Sequence, residues 1–516
     1  MTSSRRMAAR AVPGPSPARV AGTRSRERGG RLAATALLLA TMACGAAPAQ
    51  RPQETVRPAP GYEEVARQLT RLIEHEMQDK DLPAISIALV DDQQTVWARG
   101  FGAARPDGSP ATAETVHRVG SVSKLFTDIA IMQLVERGEL DLDAPVSTYA
   151  PAFRPNNTSG TEITLRQLMS HRSGLQREPA VGNYFDDTEP SLAATVESLA
   201  GRPLVYAPET RSKYSNAGIA VVGYVLEAMN GEPFAAYLHR SVLVPLGIES
   251  SAFEPTQHVR DNLATSYMWT WDGRRFEAPT FQLGMAPAGS MYASVLDLAS
   301  FMSTLFAGGT GPGGQVLQPA TLAQMWTPQY APPGQATGFG IGFAIGDLDG
   351  HRRIGHGGAI YGFATDLAAL PDDRLGAAVV VTLDITNSVA ERISDAALRL
   401  MLAAKQQQPL PETRIPSAIA LARANALEGR YMNPRRAVDL VVRNGELQLR
   451  MPARFSLRAF GDTLVVDDRL ASGARIVPIA GDRLVMGRDT LVRTAAPKPA
   501  PAPAAWLGLI GEYGWD

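Results

Sequence analysis

Ser121 and Lys124, three residues apart in Val119-Gly-Ser-Val-Ser-Lys124, are the pair whose types and spacing point most directly to chemistry. A serine hydroxyl is a poor nucleophile until a base takes its proton, and a lysine amine can do so once burial lowers its pKa. The apolar run through Ile129, Ala130, Met132, Leu134 and Val135 up to Gly138 predicts a buried helix. Ser121 and Lys124 then share one face of its first turn, where backbone N–H groups can hold an oxyanion. The plain alternative is a capping serine and a surface lysine. Against it, only five of the 50 Lys+Arg residues are lysines: Lys80, Lys124, Lys213, Lys405 and Lys498. A chain that uses arginine for its exposed cations has reason to keep lysine where a base must accept a proton, which guanidinium does not.

Two further polar clusters lie downstream. Tyr214-Ser215-Asn216 offers a phenol that can share a proton with Lys124, and an amide. His356-Gly357-Gly358 offers an imidazole beside glycines that let a substrate backbone approach closely. Singly, Tyr214 reads as a core aromatic and His356 as a turn histidine; their conjunction with Ser121 and Lys124, in this order, carries the weight. The chain has no H-E-x-x-H, against a metalloprotease, and no G-x-S-x-G, against an α/β-hydrolase. The glycines of Gly308–Gly314 and Gly338–Gly342 fit neither a phosphate loop nor a dinucleotide fingerprint.

The elements that must position these clusters follow from patterning. A length of 516 residues, 45% hydrophobic, allows one large domain and a smaller one, and a formal net charge of -1 gives no reason to expect nucleic acid as a partner. Residues 1–31 are Arg-rich, Leu32–Ala40 is a short apolar run and Ala47-Pro-Ala49 resembles a cleavage site, so residues 1–49 are expected to be a signal peptide directing export to the periplasm or beyond. The single cysteine, Cys44, lies in this segment. Thr41-Met-Ala-Cys44 partly resembles a lipoprotein signal, with Thr41 where leucine is usual, so a lipid anchor at Cys44 is the one membrane contact considered. Cleavage near Ala49 is the favoured outcome, and it leaves no cysteine for disulfides or thiol catalysis.

Beyond the leader, an amphipathic helix is expected over Tyr62–Met77 and a hairpin over Ala84–Ala98. Further helices are expected over Ala217–Met229, Ser294–Leu305 and Ala390–Leu402, with strands at Arg353–Gly358, Thr365–Leu370 and Gly376–Leu383. These place the domain that carries the three clusters at 55–405. A linker at 406–423 leads to an all-β domain at 424–495, where Asn444-Gly445 between alternating runs marks a hairpin. A Pro/Ala-rich linker follows at 496–505. Leu509-x-Gly-x-Tyr513 then echoes Leu427-x-Gly-x-Tyr431, so residues 506–516 are expected to open a second, truncated β module.

The ordered triple resembles the serine β-lactamase and penicillin-binding-protein superfamily, in its class C and D,D-peptidase-like branch. The matching residues are Ser121-Val-Ser-Lys124 as S-x-x-K, Tyr214-Ser-Asn216 as Y-x-N, and His356-Gly-Gly358 in the place of K-T-G. Ile163-Thr-Leu-Arg-Gln-Leu, His171-Arg-Ser-Gly-Leu175, Pro245-Leu-Gly247 and Pro287-Ala-Gly-Ser-Met-Tyr292 also look like family signatures, and the resemblance covers residues 60–403. It implies an α+β fold, with an antiparallel sheet flanked by helices and a helical subdomain, and the site in the cleft between. It implies acylation of Ser121 and deacylation by water, without metal or cofactor, on a small-molecule or peptide substrate. Asn216, His356, Gly358 and Ala359 would bind substrate, the N–H groups of Ser121 and Ala359 forming the oxyanion hole. Whether Lys124 or a Tyr214 phenolate takes the proton stays open. His356 replaces the lysine that pairs with a β-lactam carboxylate in efficient relatives. It is expected to be neutral and a hydrogen-bond donor, which fits the esterase, D-aminopeptidase and D,D-peptidase members better. A true β-lactamase and a catalytically silent scaffold are the alternatives.

Overall fold

The computed structural model describes residues 55–270, 273–451, 453–495 and 503. The expected signal peptide, Cys44, all of the 496–505 linker but residue 503, and the 506–516 segment lie outside the described residues.

Seven antiparallel strands form the central sheet, in the order Gln94–Gly102, Ala84–Asp91, Leu375–Val381, Phe363–Leu370, His351–Ile360, Ala344–Leu348 and Gly338–Phe339. Residues far apart in the sequence meet here, Ile85 opposite Val381 and Val90 opposite Gly376. Period-two alternation assigns the faces. Ile85, Ile87, Leu89 and Trp97 join the core beneath helices Glu63–Lys80 and Asn387–Lys405, whereas Ala88, Val90 and Ala98 join the other. Small residues on that second face let helix Val295–Phe306 lie close against the strands. Each fully buried Ile or Leu contributes about 1.5–3 kcal/mol, so a one-residue register slip, which would turn every such residue outward, is excluded.

Beyond Val295–Phe306, the helical layer holds Ser123–Glu136 and Asn216–Asn230. Ser123–Glu136 is buried almost all round; Ser123 through Leu134 are all buried. That explains why its sequence shows an apolar run rather than a one-sided stripe. Thr164 caps the start of the short helix Leu165–Met169 through a reciprocal bond with Gln167, and beyond the C-cap Ser170 the chain turns at His171, which takes φ 60°.

Eight antiparallel strands from Gly429–Met432 to Asp489–Thr494 close into a barrel, the last pairing with the first. Asn444 and Gly445 both have positive φ, the backbone that a two-residue hairpin turn requires. Tyr431, Leu440, Leu449, Leu457, Leu464 and Leu491 are among the inward side chains that fill it, so the interior is a packed core. A helix, Leu421–Leu427, precedes the first strand where the sequence pattern suggested linker and then β structure. Its Ala424 is buried in the barrel core. Among the described residues, no helix is long and apolar enough to cross a membrane.

Candidate active site

A single 3-10 turn, Gly120–Val122, leads into helix Ser123–Glu136 and carries Ser121 at its mouth. Gly120 has φ +53°, and a Cβ there would lie 2.7 Å from the Ala359 nitrogen. A Cβ on Gly358 would lie 2.0 Å from the Val119 carbonyl oxygen. Both positions therefore require glycine, and together they press strand His351–Ile360 against the backbone that presents Ser121.

Lys124 Nζ donates to Ser121 Oγ at 3.0 Å and to the Ala288 carbonyl at 2.6 Å. The amine is fully buried. Burial lowers its pKa to about 7; Glu178 pulls the other way, as does Asp128 to the extent that it is ionised, and Arg177 adds to the lowering. The neutral amine is therefore well populated near neutral pH and can accept the Ser121 proton. The segment around Ala288 is fixed to the same helix: Thr127 Oγ1 donates to the Pro287 carbonyl at 2.8 Å, and Ser123 Oγ accepts from Met291 N–H at 3.0 Å.

Tyr214 and Asn216 stand at the start of helix Asn216–Asn230, whose N-cap is Ser215. Ser215 Oγ accepts from Gly218 N–H and donates to the Gln176 carbonyl, while the Arg177 carbonyl accepts from Asn216 and Ala217 N–H. The helix N-terminus and the 176–178 loop are thus one unit. The buried His171 ring lies against Tyr214, tilted by 42° with centroids 4.2 Å apart, and its Nδ1 accepts from Ser215 N–H at 3.3 Å. Tyr214 is near enough to Ser121 for that hydroxyl to act on its pKa, and Lys124 Nζ lies 4.9 Å from the centre of its ring. Burial raises the Tyr214 pKa far above that of a free phenol. Asn216 Nδ2 donates to both Glu178 oxygens, at 2.8 and 3.0 Å.

His356 is buried on the neighbouring strand, its ring centroid 5.9 Å from that of Tyr214. Burial first, then the proximity of Lys124, lower its pKa to about 4, so it is neutral. Its Nδ1 lies 2.6 Å from the Gly357 carbonyl oxygen, which can only accept. The proton is therefore on Nδ1, and Nε2 is an acceptor. This corrects the expectation of an imidazole donating toward substrate: the donor is spent on its own strand.

The structure brings Ser121, Lys124, Tyr214 and His356 around one point, with Asn216 behind Tyr214 and the Gly358–Ala359 backbone beside Gly120. Sequence patterning missed several neighbours. The Ala288 carbonyl is backbone and has no residue signature, although Pro287–Tyr292 stood out as a phrase. Glu178 and Arg177 lie in a loop without periodicity; Arg177 sits 4.9 Å from the Tyr214 ring centre and pairs with Glu178 at 3.1 Å. Asp128 is one turn beyond Lys124, fully buried and without a hydrogen-bond partner among the described residues. Burial raises its pKa well above that of a free carboxylate, against the pull of Lys124, and so favours the neutral acid. Its signal was a lone acid inside an apolar run. Among the described residues, His75, Asp79 and Asp467 have potential metal-ligand atoms within 4.8 Å of one another, but Asp467 there already accepts from Lys80 and Arg392.

An antiparallel sheet between helical layers, with S-x-x-K at a helix mouth and Y-x-N and H-G-G facing it, defines a penicillin-binding-protein-like hydrolase. The chain belongs to the Beta-lactamase family, whose sequence profile matches residues 69–401. It is 29% identical over 280 residues to "Beta-lactamase-like protein 2" of Dictyostelium discoideum, covering 52% of this chain and 50% of that protein. The chain thus spans half the length of that relative. It is 28% identical over 371 residues to "Esterase EstB" of Burkholderia gladioli, covering 64% of this chain and 92% of the esterase. In fold it is similar to the octameric penicillin-binding protein homologue from Pyrococcus abyssi, with TM-score 0.61 and 24% identity over 83% of this chain and 99% of that one. It is 26% identical over 321 residues to the "Putative D-alanyl-D-alanine carboxypeptidase" of Escherichia coli, covering 54% of this chain and 71% of that protein, and in fold it is also similar to the D-amino acid amidase from Ochrobactrum anthropi, with TM-score 0.55 and 20% identity over 67% of this chain and 100% of that one.

Proposed function

We propose that this chain is an exported serine hydrolase that cleaves esters or D-amino-acid-containing peptides and amides through an acyl-Ser121 intermediate. The observation that carries this is the buried Lys124 amine, 3.0 Å from Ser121 Oγ with its pKa lowered to about 7. Lys124 takes the Ser121 proton as Oγ attacks the substrate carbonyl; a Tyr214 phenolate is disfavoured because burial raises that pKa. The oxyanion is received by the N–H groups of Ser121 and Ala359. The proton passes from Lys124 through the Tyr214 hydroxyl to the leaving alcohol or amine, which departs as the carbonyl re-forms. Water then repeats the sequence on the acyl-enzyme, releasing the acid and regenerating Ser121.

His356 supports this substrate class over β-lactams. A neutral ring whose unengaged nitrogen is an acceptor offers nothing to a substrate carboxylate. Export is supported by the Arg-rich leader and the Leu32–Ala40 run.

The test is a substrate panel of a short-chain nitrophenyl ester, a D-amino acid amide, a D-Ala-D-Ala peptide and a fluorescent penicillin, run on wild type and Ser121→Ala. The expected result is turnover of the ester or one of the D-amino acid substrates, exceeding that of the penicillin and abolished by Ser121→Ala together with fluorophosphonate labelling. Labelling that survives Ser121→Ala, or faster turnover of the penicillin, overturns the reading.

A further inference from the structure

Two neighbouring side chains at the start of helix Asn387–Lys405 face opposite ways. Asn387 Nδ2 donates to the Gly358 carbonyl at 2.6 Å. Ser388 Oγ donates to the carbonyls of Arg469 and Asp468, at 2.7 and 3.2 Å, in the barrel loop Asp467–Ser472. Ser472 Oγ returns a bond to the Ser388 carbonyl at 3.4 Å. One turn further along, Arg392 reaches Asp467 Oδ1 at 2.6 Å. The barrel loop therefore grips the first turn of the helix at several points, and the helix grips the site strand at Gly358.

The Gly358 carbonyl belongs to the same peptide group as the Ala359 N–H. That group is planar and trans, so fixing its oxygen fixes the direction of its N–H. A donor on the oxygen also polarises the group and strengthens the N–H as a donor. On its far side the strand is pressed against Gly120 and Val119, which leaves the peptide plane little freedom once Asn387 is in place.

The same barrel loop has a second reach. The Arg469 guanidinium stacks 4.3 Å from the Trp269 ring centre, on the small hairpin Tyr267–Trp269 and Arg275–Glu277. Ser266, just before that hairpin, donates from Oγ to the Tyr361 carbonyl at 2.8 Å, and Tyr267 N–H donates to the Thr382 carbonyl at 3.2 Å. Tyr361 lies two residues beyond Ala359. Both routes from the loop end on the segment Gly358–Tyr361.

We infer that the C-terminal barrel aims the oxyanion hole: its Asp467–Ser472 loop holds Ser388, and Asn387 beside it clamps the Gly358–Ala359 peptide. Asn387, Ser388 and Arg469 are positioning residues. The inference rests on the Ser121 acyl-enzyme reading. It also gives the packed barrel, which holds its own side chains in its interior, a part in the reaction.

The test uses the full chain, with Asn387→Asp, Asn387→Ala, Ser388→Ala and, as a barrel control away from the loop, Arg483→Ala. Rates are expressed per active site titrated with fluorophosphonate, so loss of folded protein does not count. Asn387→Asp, which sets a carboxylate against the Gly358 carbonyl, and Asn387→Ala should lower kcat by roughly ten- to hundredfold, below the full loss expected for deleting an oxyanion donor. Ser388→Ala should lower it by about three- to tenfold, in keeping with a partial loss of alignment. KM for a neutral ester should stay unchanged, and affinity for a boronate that mimics the tetrahedral adduct should fall in step with kcat. Arg483→Ala should match wild type. Wild-type kcat per site in Ser388→Ala overturns the barrel's role, and wild-type kcat in both Asn387 variants overturns the clamp. A merely structural role would lower melting temperature and titratable sites without moving boronate affinity. Failure of the underlying reading looks different: wild type itself would not turn over, or Ser121→Ala would still be labelled.

Discussion

Lys124 and Lys80 are both buried lysines, and they behave oppositely. Lys124 sits in the helical layer with a hydroxyl and a carbonyl as its polar contacts, and burial takes its pKa down to about 7. Lys80 sits where the barrel meets helix Glu63–Lys80, with Glu76, Asp79 and Asp467 at 3.0, 2.9 and 2.9 Å. Burial pulls its pKa down as well, but Glu76 and Asp467 outweigh that and the Arg392 cation, and the net shift is upward. Burial by itself is therefore not what makes a lysine a base. The lack of a carboxylate in direct contact is: Lys80 touches three, whereas Lys124 is bonded to a hydroxyl and a carbonyl, and Glu178 and Asp128 act on it without outweighing burial.

The sharpest break between the two is a substitution that keeps charge and removes basicity. Lys124→Arg should lower kcat/KM on a nitrophenyl ester by about 10²–10⁴, the usual cost of removing a general base. Lys80→Arg should leave kcat/KM within about twofold, because only a cation is needed there. Equal losses in the two variants would dissolve the distinction.

Deleting the charge should reverse the order of damage. Lys80→Met leaves Glu76 and Asp467 short of a cation and should cost about 3–5 kcal/mol of stability. Lys124→Met removes a desolvated amine and should stabilise the protein by about 0.5–2 kcal/mol while abolishing turnover. Denaturant midpoints and kcat measured on both variants decide it. The alkaline limbs should differ in sign as well. Above pH 7 the unfolded chain binds a proton at Lys124 that the folded chain does not, so this site's contribution to stability rises with pH until the unfolded lysine titrates near ~10.4. Lys80 has the raised pKa, so its contribution is present in full below ~10.4 and is lost as pH climbs through the folded value.

The contrast also marks what a sequence discloses. Ser121, Lys124, Tyr214, Asn216 and His356 were legible because their chemistry lies in residue type and short spacing. The sheet strands were legible because Ile85, Ile87 and Leu89 alternate. Glu178 was not, since a loop has no period to be read against. The clamp of Asn387 on Gly358 was hidden because it pairs a side chain with a carbonyl 29 residues away, and nothing in either neighbourhood announces the other. The Asn444-Gly445 hairpin was visible, but closure of the barrel depends on Gly429–Met432 meeting Asp489–Thr494, a pairing that local alternation does not fix. Helix Leu421–Leu427 was missed because seven residues are too few to display a helical period, and its Ala424 and Leu427 pack on the barrel core.

A gentler probe is the one carboxylate that acts on Lys124 from the loop side. Glu178 favours the charged amine, so Glu178→Gln should lower the Lys124 pKa further below about 7. Turnover requires the neutral amine, and the acid limb of kcat/KM should move to lower pH. The ratio of rates at about pH 6 and pH 8 is the readout, with Asn216 still able to bond the glutamine amide oxygen. A limb that moves upward would mean that the titrating group is not Lys124.

Asp128→Asn should change least, and that is its value. Asp128 lies one helical turn beyond Lys124, buried without a partner among the described residues, and an ionised carboxylate there would give Lys124 the counter-charge that Lys80 enjoys. Burial instead pushes the Asp128 pKa well up, against the pull of Lys124, and favours the neutral acid. A neutral acid and a neutral amide have nearly the same shape, and a Cβ on Gly342 would already lie 2.7 Å from Asp128 Oδ2, so the site has room for no larger group. Asn should therefore fit with a stability change within about 1 kcal/mol, the scale of one hydrogen bond, and leave the acid limb of kcat/KM where it is. An acid limb that shifts clearly downward in Asp128→Asn would mean that Asp128 is ionised and supports a charged Lys124. The two buried lysines would then differ in degree only, and the neutral amine beside Ser121 would have to arise after substrate binds.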